Sequence, residues 1–284
     1  MVLSYCSNKL KRVSTKKAFT LIELLVVIAI IALLLSIVMP ALRKVKDQAK
    51  IILCKANVRS VALTVAMYAG DYDGKMFPYG SGLFINELSA YTDEMDEIRY
   101  CPATKKMDES TAVDRWGTSK DTWCWSSGLP EPEQGSFGLN GWIYYYDIDD
   151  IRDGDYSWIE SQTNMISYPF PSYVGITAPS SVPVFLDAVW VDLWPKHTDV
   201  VPADLDLAYG GGIGNPMFDN PVKEHIRRAM IDRHFGKCNL GFADGHAEAV
   251  DLARLWGLKW HREFEIYDDV MTRIDGSPIY PEDQ

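Results

Sequence analysis

The 284-residue chain carries 39 acidic and 28 basic residues, a formal charge of −11, with 47% apolar residues. An acidic body of this kind disfavours nucleic acid and anionic lipid as its ligands. The length and apolar content support one globular domain besides any anchor segment.

All acidic residues follow a basic leader that contains Lys9, Lys11, Arg12, Lys16 and Lys17. Next comes Ala18-Phe19-Thr20-Leu21-Ile22-Glu23, and then an uncharged apolar run from Leu24 to Leu42. At about 1.5 Å rise per residue, a helix of that length nearly crosses a hydrocarbon core of about 30 Å. The basic flank predicts a cytoplasmic N-terminus, with residue 43 onward exported. A lone carboxylate near hydrocarbon costs several kcal/mol, so Glu23 needs a partner. No small-residue cleavage site follows the apolar run at Ser36 to Ala41, which places processing before it.

These residues resemble the type IV prepilins and the pseudopilins of type II secretion. The resemblance implies that a prepilin peptidase cuts between Ala18 and Phe19, that the Phe19 amine is methylated, and that Glu23 directs assembly. Ala18 stands where those proteins usually have Gly, and Pro40 where they carry a helix-kinking proline. The implied partners are the prepilin peptidase, identical or related pilin or pseudopilin subunits, the inner-membrane assembly machinery and membrane lipid. The implied location is the inner membrane, single-pass, with the globular domain periplasmic or extracellular. Physical chemistry supports the same scheme: Glu23 of one subunit can neutralise the Phe19 ammonium of its neighbour in a low-dielectric stack.

Beyond Pro40, Val45, Ala49, Ile52 and Ala56, then Val58, Val61, Ala62, Val65, Tyr68 and Ala69, fall mostly at steps of three and four. This spacing predicts an amphipathic stem helix that ends at Gly70 and the Asp71-Tyr72-Asp73-Gly74 turn. From about Lys75 the chain is rich in Gly, Pro and aromatic residues, and Val182 to Leu186 and Cys238 to Val250 read as strands. Asp244-Gly245 reads as a two-residue hairpin turn, with Phe242 opposite Ala247 and Leu240 opposite Ala249 on a core face and His246 with Glu248 on a wet face. The expected fold is α+β, a long N-terminal pilin-like helix packed on a C-terminal antiparallel β-sheet domain with long loops. Its expected divisions are a leader 1–18, an assembly helix 19–42, a stem 43–72 and an exported β-rich domain 73–284.

His234 followed after nine residues by Asp244-Gly245 is similar to the C-terminal signature of the His-x9-Asp-Gly prepilin-like family. Cys54 to Val58, Tyr68 with Asp71, Asp73-Gly74, Pro78, Cys101-Pro102 and Phe137 to Gly141 agree with it. That kinship implies no established activity.

Of the five cysteines, Cys6 would leave with the leader. Cys54, Cys101, Cys124 and Cys238 are candidates for one or two disulfides of unspecified pairing, the alternative being buried thiols. Their spacings match no zinc knuckle. His234, Asp244 and His246 form a candidate metal set, set against the reading that Asp244 caps its turn and His234 bonds to main chain. Asp149, Asp153, Gly154, Asp155 and Glu160 follow part of a calcium-loop pattern, with Ile151 where an oxygen ligand belongs. Calcium is therefore the one cofactor candidate, and the expectation is of none. Trp116, Trp123, Trp125, Trp142, Tyr144, Tyr145, Tyr146 and Trp158 are read mainly as core, with a sugar-stacking surface as the alternative. No catalytic motif stands out, and Gly210 to Gly214 lacks the Lys-Ser/Thr of a phosphate loop. The chain is thus read as a structural subunit rather than an enzyme. The second reading is a membrane-anchored module that binds carbohydrate or a divalent metal at the cell surface.

Overall fold

The computed structural model describes residues 20–79, 83–108, 114–126, 129, 131–147, 167–197, 199 and 225–266. Its contacts separate two compact units, residues 1–46 and 47–284. Ala18, Phe19, the acidic segment 149–160, Trp158 and Gly210 to Gly214 lie outside the described residues.

Helix α1 runs from Leu21–Asp71 with Pro40 inside it. In the first unit its large apolar residues, from Leu21 to Leu42, are all exposed. The segment is long and apolar enough to cross a membrane. In the second unit the helix is two-faced. Cys54, Val58, Val61, Ala62, Val65, Tyr68 and Ala69 are buried, in steps of three and four that keep them on one side at 3.6 residues per turn. The helix ends as expected: Asp73 and Gly74 take positive φ, and the Gly74 N–H donates to the Ala69 carbonyl at 2.7 Å.

The stem pattern needs one correction. Val45, Ala49, Ile52 and Ala56 share the helical spacing of the buried residues yet are exposed. From Ile52 to Cys54 is about 200° around the helix, so the first set lies on the opposite side from the second.

The body is built on a five-stranded sheet in the order β5-β3-β4-β6-β7. Its strands are β3 (Phe137–Asn140), β4 (Pro183–Asp187), β5 (Asp192–Leu193), β6 (Lys237–Phe242) and β7 (Ala247–Asp251). The β3-β4-β6-β7 part is antiparallel, and β5 joins β3 in parallel. A separate antiparallel pair, β1 (Trp123–Trp125) with β2 (Glu133–Gly135), and two short helices, α2 (Phe84–Leu88) and α3 (Met95–Ile98), complete the described elements beside 3-10 turns. The fold is α+β.

The β6–β7 hairpin differs from expectation by one residue. Gly241 pairs with Ala247 and Leu240 with Glu248. The loop holds three residues because the Gly245 N–H bonds back to the Phe242 carbonyl at 2.8 Å, closing a turn that Gly245 leaves at φ +83°. A turn followed by a left-handed residue gives a three-residue loop rather than a two-residue one. The slip puts the small residues Gly241 and Ala247 on one side, and a Cβ at Gly241 would stand 2.7 Å from Ala62 Cβ and 2.9 Å from the Val58 carbonyl oxygen. Gly241 is therefore what lets α1 approach the sheet closely.

Large aromatics fill the remaining core, as expected for most of them. Trp123 and Trp142 are fully buried, and Trp116 stacks on Trp190 at 4.7 Å. Asn140, also fully buried, donates to the Pro183 and Trp260 carbonyls at 2.8 and 2.9 Å and accepts from the Trp142 N–H. It ties β3 to β4 and to the C-terminal turn.

Gly241→Ala should destabilise the chain by about 1–3 kcal/mol through overpacking against α1, whereas Gly70→Ala, which meets no atom within 4 Å, should be neutral or stabilising by up to about 1 kcal/mol. Thermal unfolding of both variants checks this, and equal losses would contradict the close approach.

His261 is fully buried, stacks on Tyr168 at 3.9 Å, and its Nδ1 accepts the Glu263 N–H at 3.2 Å. Burial, then the neighbouring His197, Lys259 and Lys196, pull its pKa down to about 3. An unfolded histidine takes its proton near about pH 6.5, so between there and about pH 3 the unfolded state binds more protons and stability falls as pH falls. His261→Gln should flatten the stability–pH curve in that window relative to the wild type, as read from denaturant midpoints.

Candidate functional site

Four segments that lie far apart in sequence bring side chains to one buried point. Cys54 comes from the buried face of α1, Cys101 from the turn before Pro102, Asp187 from the end of β4, and His234 from the loop that leads into β6. Each is 2% exposed or less. One ligand-type atom from each lies within 4.8 Å of all the others.

The individual contacts are short. His234 Nε2 stands 3.3 Å from Cys101 Sγ and 3.3 Å from Asp187 Oδ2. The Cys54 thiol donates to Asp187 at 3.5 Å to Oδ1 and 3.6 Å to Oδ2. Asp187 is further held by the Asn239 N–H at 3.0 Å and by Arg233 at 3.5 Å. The Arg233 side chain is fully buried and donates to the carbonyls of Ser136, Thr118 and Ala188. Cys101 accepts the Ala103 N–H at 3.4 Å, and its own carbonyl receives the Thr104 N–H at 2.9 Å. His234 Nδ1 is buried with no hydrogen-bond partner.

Charge is concentrated here. Burial raises the Asp187 carboxyl, but contacts with His234, then Arg233 and the Asn239 N–H, outweigh it and hold the group below the usual carboxylate range. The hydrogen bond from Cys54, against the opposing effects of burial and Asp187, together with His234 and Arg233, brings Cys101 down to about 6. Burial pushes His234 down, but its bonds to Asp187 and Cys101 prevail and lift it to about 10. Burial, then Cys101 and Asp187, raise Cys54 well above a normal thiol.

A catalytic relay does not fit this geometry. In such a relay the base receives the nucleophile's proton at one ring nitrogen and is oriented through the other, whereas here sulfur and carboxylate both approach Nε2. The arrangement is a converging set of donors: two sulfurs, a carboxylate oxygen and an imidazole nitrogen.

The signature residues do not form a single site. Asp244 and His246 pair with each other through Asp244 Oδ1 and His246 Nδ1 at the hairpin tip, and the His246 ring stacks on Phe242 at 4.3 Å. His234 instead lies before the strand Lys237–Phe242. At about 3.3 Å per residue that strand holds it well away from the turn, so the metal set His234, Asp244 and His246 is not assembled. The narrower reading of Asp244 stands, since its side chain accepts the His246 N–H at 3.1 Å within its own turn.

The expected disulfides are not formed: Cys54, Cys101, Cys124 and Cys238 are free, buried thiols, which is the alternative reading. Cys238 Sγ lies 3.5 Å from the Asp187 carbonyl oxygen, and Cys124 sits in β1. Sequence reasoning named Cys54, Cys101 and His234 without joining them, and it missed Asp187. The available signal was an aspartate directly after the apolar strand Val184-Phe185-Leu186, where an unpaired carboxylate would be costly.

At the N-terminus, Thr20 and Glu23 form a reciprocal cap. The Glu23 carboxylate accepts the Thr20 N–H and hydroxyl, each at 2.8 Å, and the Glu23 N–H donates to Thr20 Oγ1 at 3.3 Å. The carboxylate is therefore held against Thr20, at the start of α1.

Comparison with protein families matches residues 13–39 to the prokaryotic N-terminal methylation motif. No curated protein and no solved structure matches the chain. The matched segment covers Ala18, Phe19, Glu23 and most of the apolar run, and supports a prepilin-type N-terminus with a candidate membrane helix.

Removing the guanidinium at Arg233 takes away one of the two buried countercharges of Asp187 and leaves His234 alone to oppose it. Arg233→Leu should destabilise the chain by about 3–5 kcal/mol, measured as a drop in unfolding midpoint. A loss of under about 1 kcal/mol, the range of an exposed ion pair, would contradict the pairing.

Proposed function

We propose that this chain is a structural, non-catalytic subunit of the pilin or pseudopilin type. It is cut by a prepilin peptidase between Ala18 and Phe19, held in the inner membrane by residues 19–42 with its body outside, and assembled with copies of itself or related subunits into a type IV pilus or a secretion pseudopilus. The likeness of His234 and Asp244-Gly245 to the His-x9-Asp-Gly signature supports this reading.

The observation that carries the proposal is an apolar line on the stem that stays exposed, although Leu63 within it borders the hairpin tip at Gly245. Ala49, Ile52, Ala56, Leu63 and Met67 are all exposed, with Ile52 at 65% and Met67 at 56%. At about 100° per residue these five fall within a sector of about 60°, opposite the buried stripe. A helix that buries one face in its own domain and offers a second apolar face needs a partner. Packing of neighbouring stems meets that need, and it extends the lateral contacts that the uncharged segment before Leu42 would make in a filament.

Glu23 supplies the register. Its bond to the Thr20 N–H holds the carboxylate beside the position where cleavage would create the Phe19 ammonium. A neighbour's ammonium can then replace the hydroxyl as its partner, and the charge pair would be shielded from water by the surrounding helices.

Glu23→Ala and Ile52→Asp with Met67→Asp should each abolish recovery of assembled material while leaving the unfolding midpoint of the body unchanged within about 0.5 kcal/mol, as expected for exposed positions. Intact-mass measurement of membrane-extracted chain should give a form that starts at methylated Phe19. Retention of the first eighteen residues in a host with active leader peptidase, or normal assembly of these variants, would contradict the proposal.

A further inference from the structure

We propose that Cys54, Cys101, Asp187 and His234 form a closed, tetrahedral zinc site that fastens the stem helix to the sheet. The proposal does not depend on the mode of assembly.

Edge lengths carry the argument. With zinc bonded to sulfur at about 2.3 Å, to nitrogen at about 2.0–2.1 Å and to oxygen at about 2.0–2.2 Å, tetrahedral angles put sulfur and oxygen about 3.5–3.7 Å apart, sulfur and nitrogen about 3.5–3.6 Å, and nitrogen and oxygen about 3.3–3.5 Å. The corresponding separations here are 3.5 and 3.6 Å for Cys54 to Asp187, 3.3 Å for Cys101 to His234, and 3.3 Å for His234 to Asp187. Two of these edges match a zinc tetrahedron, the Cys101–His234 edge is about 0.2 Å shorter, and the remaining donor pairs lie within 4.8 Å of one another.

The surroundings fit the same assignment. Nε2 carries at most one proton and faces two groups, whereas a cation at their common centre satisfies both at once. Two thiolates and a carboxylate carry three negative charges, which a divalent ion and the buried Arg233 guanidinium neutralise. The Ala103 N–H on Cys101 Sγ and the Asn239 N–H on Asp187 Oδ2 are the outer hydrogen bonds that orient metal ligands, while Arg233 takes Oδ1. Soft sulfurs combined with imidazole in a tetrahedron select zinc over calcium or magnesium. Four protein ligands leave no open position, which makes the site structural.

A cavity of about 250 Å³ is lined by Ala103, Arg233 and His234, together with Asp47, Lys50 and Asp232, so open space adjoins one ligand of the site.

The full chain, extracted in detergent without chelator, should contain roughly one zinc per molecule by elemental analysis. Exchange with cobalt(II) should produce the intense visible bands of a tetrahedral ion and a thiolate-to-cobalt charge-transfer band in the near ultraviolet. Cys54→Ser, Cys101→Ser and His234→Ala should each lower metal content to near zero, and Cys124→Ser should retain it. If the ligand variants fail to fold, the wild-type zinc content and cobalt spectrum decide the matter alone. A wild-type chain that is metal-free and takes up no added zinc, or one in which Cys54 and Cys101 are joined as a disulfide, overturns the proposal. So does cobalt uptake without a thiolate charge-transfer band.

Discussion

One helix has to satisfy two apolar faces, and the rest of the body follows from that constraint. The side bearing Cys54, Val58, Val61, Ala62, Val65 and Ala69 is buried, and it determines what the sheet can place beneath it. Gly241 has no side chain because the helix backbone at Val58 comes too close. The hairpin register that brings Gly241 and Ala247 together comes from the three-residue loop at Gly245. Turn chemistry, register and helix docking are thus linked: a two-residue turn would exchange the faces of β7 relative to β6.

The junction at Asp187 joins this packing to four separate stretches of chain. A carboxylate at the end of a buried strand is tolerated because Arg233, His234, the Asn239 N–H and the Cys54 thiol all address it. Removing any one leaves the others facing an under-compensated group, so the cluster should behave as a unit and not as a sum of pairs. Its position on the inner face of the stem means that whatever occupies it also fixes the depth at which the helix seats. The outer line of Ala49, Ile52, Ala56, Leu63 and Met67 is then presented from a rigid support, as a packing surface requires.

The sequence was most informative where one residue type has one physical use. The apolar run, the stem termination at Asp73-Gly74 and the strands around Val184 and Leu240 were legible because periodicity and turn residues specify them locally. The α+β class followed from those pieces. The hairpin register was not legible, since Asp-Gly suits a two-residue turn as well as the longer loop that formed, and only packing against Val58 and Ala62 separates them. The division of the stem into two faces was missed because each set taken alone fits steps of three and four, whereas the two-residue step from Ala56 to Val58 turns the second set about 200° away from the first. The junction was hidden for a different reason: residues 54, 101, 187 and 234 meet only through the fold, and no spacing rule joins four such distant positions.

The central claim is that the outer line of the stem is a contact between subunits, and proximity in intact cells tests it most directly. A photo-reactive side chain placed at Ile52 should, on illumination, yield covalent dimers and higher multimers that vanish when Glu23 is replaced, while the same group at the exposed Val174 of the body should not. Monomer alone from Ile52, or equal multimers from both positions, would contradict the account.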